Sequence, residues 1–212
     1  MLTIWGHENA PNVRKVIWTC GELGIAYERK DIGGPFGGTE SDTYRAMNPN
    51  GRIPTISHDG FILWESHAIM RYLVTITEGQ TLLPADPQGQ AQVNQWMDWQ
   101  LAHLGHAIRA LVLLVLKPGD SVPTPEQIEA ARAEVLGLLA ILETALADQN
   151  WILGERFTLA DIPLAINYNM WKALAPDHQG FPALEAWYAR ISARPDYKPL
   201  PPRPLARAGA GR

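Results

Sequence analysis

A glutamate and a serine stand where the sequence predicts that a strand ends and a helix begins. Glu65 and Ser66 follow the strand pattern Phe61 to Trp64 and precede a helix with one apolar face. Backbone N–H groups at a helix start, together with a hydroxyl, can receive an anion. Serine is also a preferred N-cap residue, so the same pair could serve only to begin the helix. The spacing leaves both interpretations open.

Three ionisable side chains recur at three-residue spacing on a later helix. His103, His106 and Arg109 share one side of it, and Trp99 lies one turn earlier. Two imidazoles at this spacing could bind a metal ion, but neither a carboxylate nor a third histidine is close in the sequence. We expect no metal site here. The group could line a cleft or belong to an ordinary surface.

The single cysteine, Cys20, lies about two turns into the first predicted helix and on its apolar side. The stabilisation of a thiolate by a helix start fades within the first turn, and burial raises the pKa of a thiol. We interpret Cys20 as structural. A lone cysteine cannot form an internal disulfide, which favours a reducing, cytoplasmic compartment.

Composition and charge exclude several classes of protein. The 212 residues are 46% hydrophobic and 19% charged, unlike a fibrous or unstructured chain. The net charge is −4 and no run of like charges stands out, so we expect no nucleic-acid partner. The longest apolar run, 111–116, is far shorter than the roughly 20 residues that cross a bilayer, so we expect no membrane partner.

The first 79 residues predict a mixed sheet covered by helices, in the order βαβ, an irregular helix, then ββα. Asp59-Gly60 is a strong hairpin signal, Gly24 ends the first helix, and Asn12 is the expected N-cap of that helix. The predicted strands are 2–5, 26–31, 55–58 and 61–64, and the predicted helices are 12–23, a short one near 41–47, and one that begins at Ser66 and ends before Gly79.

Strand signals vanish after a predicted linker at residues 80–90, and residues 91–212 predict an all-helical domain. One long helix is expected from Val93 to near Pro118. Capping boxes begin two further helices, at Thr124 and at Thr158 with Asp161. A last helix begins at Pro182, and we expect a loosely ordered tail from about residue 196.

Four short strings resemble the soluble glutathione S-transferase family, and they occur in the right order along nearly the whole chain. They are Arg52 to Thr55, Leu63 to Ile69, Thr158 to Asp161 and Phe181 to Trp187. The string Trp5 to Val16 resembles a bacterial branch of the family. The resemblance implies a thioredoxin-like N-terminal domain (βαβαββα), followed by an all-α domain that forms the pocket for an electrophile.

The resemblance also implies that the N-terminal domain binds glutathione. Ser66 would bind the γ-glutamyl carboxylate and Glu65 the γ-glutamyl ammonium group. A cis peptide bond before Pro54 would turn the backbone of Ile53 outward, where it can pair with the cysteinyl backbone of glutathione. Arg52 could pair with a carboxylate or be a solvated surface residue.

Relatives place Tyr, Ser, Thr or Cys near the first helix start, where the sulfur of glutathione would lie, but this chain has Ala10. The remaining donors are the amides of Asn12 and Asn9, which can bind a sulfur anion without taking its proton. Asn12 ranks first, because some bacterial members similarly use an asparagine two residues after the lost hydroxyl. Asn12 could instead only cap its helix.

Further candidates come from the rim of the cleft that the resemblance implies. Trp99, His103 and His106 would line the electrophile pocket or, from a second subunit, approach the glycine end of glutathione. Thr39, in a glycine-rich loop, is a further candidate. An ordinary surface or interface role is the alternative for each of them.

These observations predict a cytoplasmic, homodimeric glutathione S-transferase of the detoxification type. Glutathione would be its co-substrate, its second substrate a small apolar electrophile, and no metal or organic cofactor would be needed. One alternative is a glutathione-dependent disulfide reductase or peroxidase, because the site lacks the hydroxyl but is rich in amides. Another is a non-catalytic binding or interaction module, which the absence of a hydroxyl at Ala10 supports.

Overall fold

Four short strands form a mixed sheet in the first part of the chain. In the computed structural model, which describes residues 1–116, 122–176, 178 and 180–201, their order is β2-β1-β3-β4. β1 pairs in parallel with β2 and antiparallel with β3, which in turn pairs antiparallel with β4. The strands are β1 (Leu2–Trp5), β2 (Tyr27–Lys30), β3 (Thr55–His58) and β4 (Phe61–Trp64).

Two helices cover the sheet through the apolar stripes that the sequence predicts. Ile4 and Ile56 on the central strands pack with Val13 of α1 and with Ile69 and Leu73 of α3, and all five side chains are fully buried. Burial of each such side chain contributes roughly 1.5–3 kcal/mol. The helices of this domain are α1 (Pro11–Leu23), α2 (Asp42–Met47) and α3 (Ser66–Thr75), and the predicted thioredoxin-like order is confirmed.

The first and third helices begin differently from the sequence prediction. Ala10, not Asn12, is the N-cap of α1, because Pro11 takes the first helical position. Glu65, not Ser66, is the N-cap of α3, and it has a positive φ of 72°. Neither cap makes a side-chain hydrogen bond to its helix. The simple capping role is therefore wrong for both Asn12 and Ser66.

In the described part of the second domain, the regular elements are helices, as predicted, apart from one isolated bridge between Trp151 and Gly154. Asp86 caps α4 by accepting a hydrogen bond from the Gly89 N–H (2.7 Å), so α4 begins inside the predicted linker. The capping box of Thr124 with Gln127 is confirmed. Thr158 donates to Asp161, but the N-cap of the last-but-one helix is Ala160, so the predicted helix start at Thr158 is wrong. The helices are α4 (Pro87–Trp99), α5 (Gly105–Leu116), α6 (Pro125–Leu146), α7 (Asp161–Leu174) and α8 (Pro182–Ser192).

A π-helical segment, Gln100–Leu104, interrupts the single long helix expected after the linker. A π turn holds more residues than an α turn, so side chains on either side of it fall out of the simple helical phase. The expected end near Pro118 lies outside the described residues, and α5 is described to Leu116. The helical stretch 87–116 is, by length and composition alone, apolar enough to span a membrane. Its fully buried Val93, Met97 and Leu111 belong to the core of the helical domain.

The two domains share a boundary at which the start of the predicted tail is packed. Trp18 of α1 is buried against Tyr197, with ring centroids 4.9 Å apart, and Tyr197 is 8% exposed. The Leu200 N–H donates to the Asn169 side chain (2.9 Å). The prediction of a loose tail is therefore wrong for residues 196–201, because Tyr197 buries apolar surface there. Residues 202–212 lie outside the described part of the chain.

Candidate functional site

A cleft of about 910 Å³ lies between the two domains. The N-terminal domain contributes the start of α1, the loop after β2, the segment before β3 and the turn from β4 into α3. The helical domain contributes the π segment, α5 and α7. The segments of the first domain that the sequence analysis selected for binding therefore meet at one surface, except for Asn9.

The segment before β3 carries the expected cis bond. The Ile53–Pro54 peptide is cis, and both residues line the cleft. The preceding carbonyl, that of Arg52, accepts hydrogen bonds from the Tyr44 hydroxyl (2.7 Å) and the Asn48 amide (2.8 Å). Two buried side chains therefore anchor this segment from behind.

The turn from β4 into α3 presents Glu65 and Ser66 to the cleft. Ser66 is 4% exposed and is the first residue of α3, whereas Glu65 is exposed. Because no side chain caps α3, its first-turn N–H groups remain available to an acceptor in the cleft. This geometry favours the anion-receiving interpretation of the pair over capping.

The start of α1 brings Asn12 to the cleft but not Asn9. Asn12 is exposed and lines the cleft with Ala10 and Pro11. Asn9 is exposed in the turn before the helix and is not among the lining residues. Freed from capping, the Asn12 amide is available to a ligand. Its role as a donor to sulfur stays a prediction.

Some of the candidates at the rim also line the cleft, and others do not. Thr39, Arg52 and His106 line the cleft, whereas Trp99 and His103 are not among its lining residues. Trp99 instead packs its ring against Trp96 (centroids 5.3 Å apart) and approaches His103 (6.2 Å). The π segment, which includes His103, brings Gln100 to the cleft instead, and sequence periodicity could not predict this.

The sequence analysis missed a buried lysine in the wall of the cleft. Lys15 is only 2% exposed. Its ammonium donates to the Gln100 Oε1 (3.1 Å) and lies 3.3 Å from the His67 Nε2. Gln100 in turn donates to the Asn167 Oδ1 (2.9 Å). These four residues, which we call the Lys15 chain, join α1, α3, the π segment and α7. The available signal was a lysine between the core residues Val13 and Val16, one turn after Asn12.

Burial changes the protonation of this chain. It lowers the pKa of Lys15 to about 7, an effect that the negative charge of Glu65 partly offsets. Burial and the nearby Lys15 charge lower the pKa of His67 to about 2. His67 is therefore neutral at ordinary pH, and its Nε2 can accept a hydrogen bond from the Lys15 ammonium.

The charged side chains that line the cleft are mostly cationic. Lys15, Arg52 and Arg109 face a single carboxylate, Glu65, although the whole chain has a net charge of −4. The start of α3 and the start of α1 add partial positive charge. The cleft is therefore suited to an anionic ligand.

A smaller apolar recess adjoins the cleft. It is lined by Pro11 from α1, by α5 and α7, and by the packed start of the tail. The apolar side chains on these elements include Val112, Leu116, Met170, Leu174 and Leu200. Pro11 and Met170 line both spaces, so an apolar group in the recess would lie beside the start of α1.

Neither Cys20 nor the histidines in the described part of the chain belong to a metal-binding cluster. Cys20 is fully buried, and burial raises its pKa to about 12, as expected of a structural thiol. Within the described ranges, no three His, Cys, Asp or Glu side chains are placed to hold a metal ion together.

Two family models and many named relatives match the chain. The description "Glutathione S-transferase, N-terminal domain" matches residues 10–76, and "Glutathione S-transferase, C-terminal domain" matches 105–195. Glutathione S-transferase GstB of Escherichia coli strain K12 is 34% identical over 198 residues, which cover 92% of this chain and 95% of that protein. Glutathione S-transferase 3 of Zea mays is 30% identical and covers 98% and 99%.

A similar solved structure holds a ligand. The theta class glutathione S-transferase of Xanthomonas axonopodis pv. citri, with glutathione bound, is 38% identical and superposes with a TM-score of 0.84. The match covers 92% of this chain and 94% of that one. The domain order of the two proteins is therefore the same over nearly their full lengths.

Proposed function

Because this chain belongs to the glutathione S-transferase family, we propose how its cleft carries out the transfer. Glutathione binds along the N-terminal wall, its sulfur is held as a thiolate at the start of α1, and an apolar electrophile enters from the recess. The observation that carries the proposal is the meeting of Ile53–Pro54, Glu65–Ser66 and the start of α1 at one cleft, beside an apolar recess.

The proposed contacts of glutathione follow from what each part of the wall offers. The hydroxyl of Ser66 and the uncapped start of α3 receive the γ-glutamyl carboxylate, and Glu65 receives the ammonium group. The backbone of Ile53 pairs with the cysteinyl unit. Arg52 lies where a second carboxylate would be neutralised, next to Thr39, whose carbonyl packs against Gly51.

Asn12 is the proposed donor to the thiolate. A hydrogen bond to a charged acceptor contributes roughly 1.5–3 kcal/mol, and each pKa unit corresponds to about 1.4 kcal/mol. One such bond would therefore lower the thiol pKa of glutathione by about one to two units. The thiolate sulfur then forms a bond to the electrophilic carbon, and the leaving group departs with its bonding electron pair. This chemistry needs no metal or organic cofactor.

A homodimer in the cytoplasm is the proposed assembly and location. The edge strand β4 exposes Phe61 (50%) and Trp64 (37%). An exposed edge with large apolar side chains is typical of a surface that a partner covers. In a dimer Trp99 and His103, which lie outside the cleft of the single chain, could reach the site of the partner.

Disulfide reduction is a second candidate function. Ala10 offers no hydroxyl, and the cleft has two more polar side chains, His106 and Arg109, on the wall opposite Ser66. That wall could hold a second glutathione or a disulfide. Activity with a disulfide substrate and little activity with aryl halides would favour this function over the transfer reaction.

A glutathione titration near neutral pH tests the proposal. We expect an ultraviolet thiolate band together with a change in tryptophan fluorescence, and we expect Asn12→Ala to lose the band while it keeps the fluorescence change. Asn9→Ala is the matched control, because Asn9 lies outside the cleft. Binding with no thiolate band in the wild type would contradict the mechanism and would favour the disulfide reaction or a non-catalytic binding module.

A further inference from the structure

We propose that Lys15 is a specificity-determining residue whose ammonium group supplies the positive charge for the γ-glutamyl carboxylate of glutathione. This inference rests on the proposed binding of glutathione along the N-terminal wall. Lys15 is buried in the N-terminal wall and lies outside the four short strings that carry the family resemblance.

The place of Lys15 puts its charge at the anion-receiving end of the cleft. Its Nζ lies 3.3 Å from the Nε2 of His67, the second residue of α3. Ser66, the first residue of α3, lines the same cleft as Lys15. The start of α3 offers only partial charges and a hydroxyl to a carboxylate. A protonated Lys15 adds a full positive charge, and this charge interacts with Glu65 in the turn before α3.

The partners of Lys15 hold the ammonium in place without cancelling its charge. An ammonium group has three N–H donors. One is directed to the Gln100 Oε1, and a second can be accepted by the neutral His67. Gln100 is oriented in turn by its bond to Asn167. Among the described residues, two of the three donors have neutral acceptors. The positive charge of the ammonium group therefore remains available to an anion.

The groups that face Lys15 from the surrounding elements include one charge of opposite sign. They are the carboxylate of Glu65 from the turn before α3, the imidazole of His67 from α3, and the amide of Gln100 from the π segment. Arg71, further along α3, acts on His67 with the same sign as Lys15. Glu65 is exposed and is the proposed partner of the γ-glutamyl ammonium, so a bound carboxylate is the additional anion that Lys15 needs.

Protonation of Lys15 is therefore coupled to binding. Without ligand its pKa is about 7, so near pH 7 only about half of the molecules hold a charged Lys15. A carboxylate brought beside it raises this pKa and completes its protonation. Binding near pH 7 should take up as much as about half a proton, and affinity should fall as pH rises above 7.

The experiment uses S-methylglutathione, because its blocked thiol releases no proton. Calorimetric titrations at about pH 7 in phosphate and in Tris buffer give the number of protons taken up by the wild-type protein. Lys15→Met removes the charge while keeping a long apolar side chain. We expect it to bind about tenfold more weakly and with no proton uptake. Lys30→Met, at an exposed lysine on β2, is the matched control and should behave as the wild type.

Two further measurements separate the coupling from a purely structural role. Gln100→Glu places a carboxylate beside Lys15, so Lys15 should already be charged and the proton uptake near pH 7 should disappear although Lys15 is present. An analogue with 4-aminobutanoyl in place of γ-glutamyl lacks the α-carboxylate. It should bind to the wild type and to Lys15→Met with equal affinity and with no proton uptake.

The outcomes test three statements separately: the coupling to protonation, the assignment to the carboxylate, and the proposed function. Proton uptake that persists in Lys15→Met, or is absent from the wild type, would overturn the coupling. The same loss of affinity in Lys15→Met for both ligands would overturn the assignment to the carboxylate. A wild-type protein that does not bind S-methylglutathione at all would instead contradict the proposed function on which this inference rests.

Discussion

The two walls of the cleft present different chemical groups to a ligand. The N-terminal wall presents backbone groups and a few polar side chains, around Ile53–Pro54 and Glu65–Ser66, and it is anchored from behind by hydrogen bonds. The helical wall presents side chains of α5 and α7, many of them apolar, beside a recess. A backbone-based wall suits one ligand of constant shape, whereas an apolar wall discriminates weakly among ligands. In the proposed function, the constant substrate therefore binds to the N-terminal wall and the variable substrate to the helical wall.

The helical wall depends on a buried carboxylate far from the cleft, and removing it should have the largest effect. Asp161 accepts from the backbone of Ile152 and Thr158, from the Thr158 hydroxyl and from the Trp187 indole. Asp161→Ala leaves these buried donors unsatisfied and should lower the free energy of unfolding by about 3 kcal/mol or more. Denaturant unfolding measures this.

Thr124→Ala, at a helix cap in solvent, is the matched control for Asp161→Ala. It should cost only about 1 kcal/mol. If both variants lost the same free energy of unfolding, the buried hydrogen bonds of Asp161 would contribute no more than an exposed helix cap.

Ser66→Ala should weaken the binding of glutathione to the N-terminal wall and leave the binding of the electrophile nearly unchanged. The loss of one hydrogen bond to a carboxylate is expected to raise the KM for glutathione about tenfold, which corresponds to about 1.4 kcal/mol. The KM for the electrophile should change little. Steady-state kinetics with each substrate varied in turn measures both, and Ser192→Ala at the end of α8 is the control. A larger change in the KM for the electrophile would break the division between the walls.

Lowering the pH should reduce the free energy of unfolding through His67, which lies between the two walls. Its folded pKa is lowered from 6.5 to about 2, so between these values the unfolded chain binds the extra proton. The free energy of unfolding should therefore fall as pH drops below 6.5, by about 1 kcal/mol between pH 6.5 and 5.5 from this residue. Denaturant unfolding at the two pH values should show that His67→Gln removes this difference, whereas His58→Gln, at a half-buried histidine on β3, should retain it.

The smallest effect is expected for a change in the recess. Met170→Ala enlarges the apolar space and should change the KM for an apolar electrophile by a few fold, since one methylene group corresponds to about 0.8 kcal/mol. The affinity for S-methylglutathione should stay the same, which fluorescence titration measures. A parallel loss of both affinities would mean that the two walls do not act separately.

Much of the N-terminal wall could be predicted from local sequence. The Asp59-Gly60 hairpin and the strand-to-helix turn at Glu65 depend on neighbouring residues, whereas the cis bond before Pro54 was implied by the family resemblance. The helical wall could not be predicted in the same way. Its helices followed from periodicity, but periodicity does not predict the π segment. Trp99 and His103 were candidates because the family resemblance implies that their helix lines the cleft, and they are not among the residues that line the cleft of the single chain.

By itself, the amino-acid sequence determined the order of the strands and helices, the two domains and the short strings that carry the family resemblance. These follow from periodicity, turn chemistry and capping, which act over a few residues. Only the tertiary structure decided that Lys15 is a buried cation, because its partners His67, Gln100 and Asn167 come from three other elements. Desolvation depends on everything packed around a side chain, and no local pattern records it.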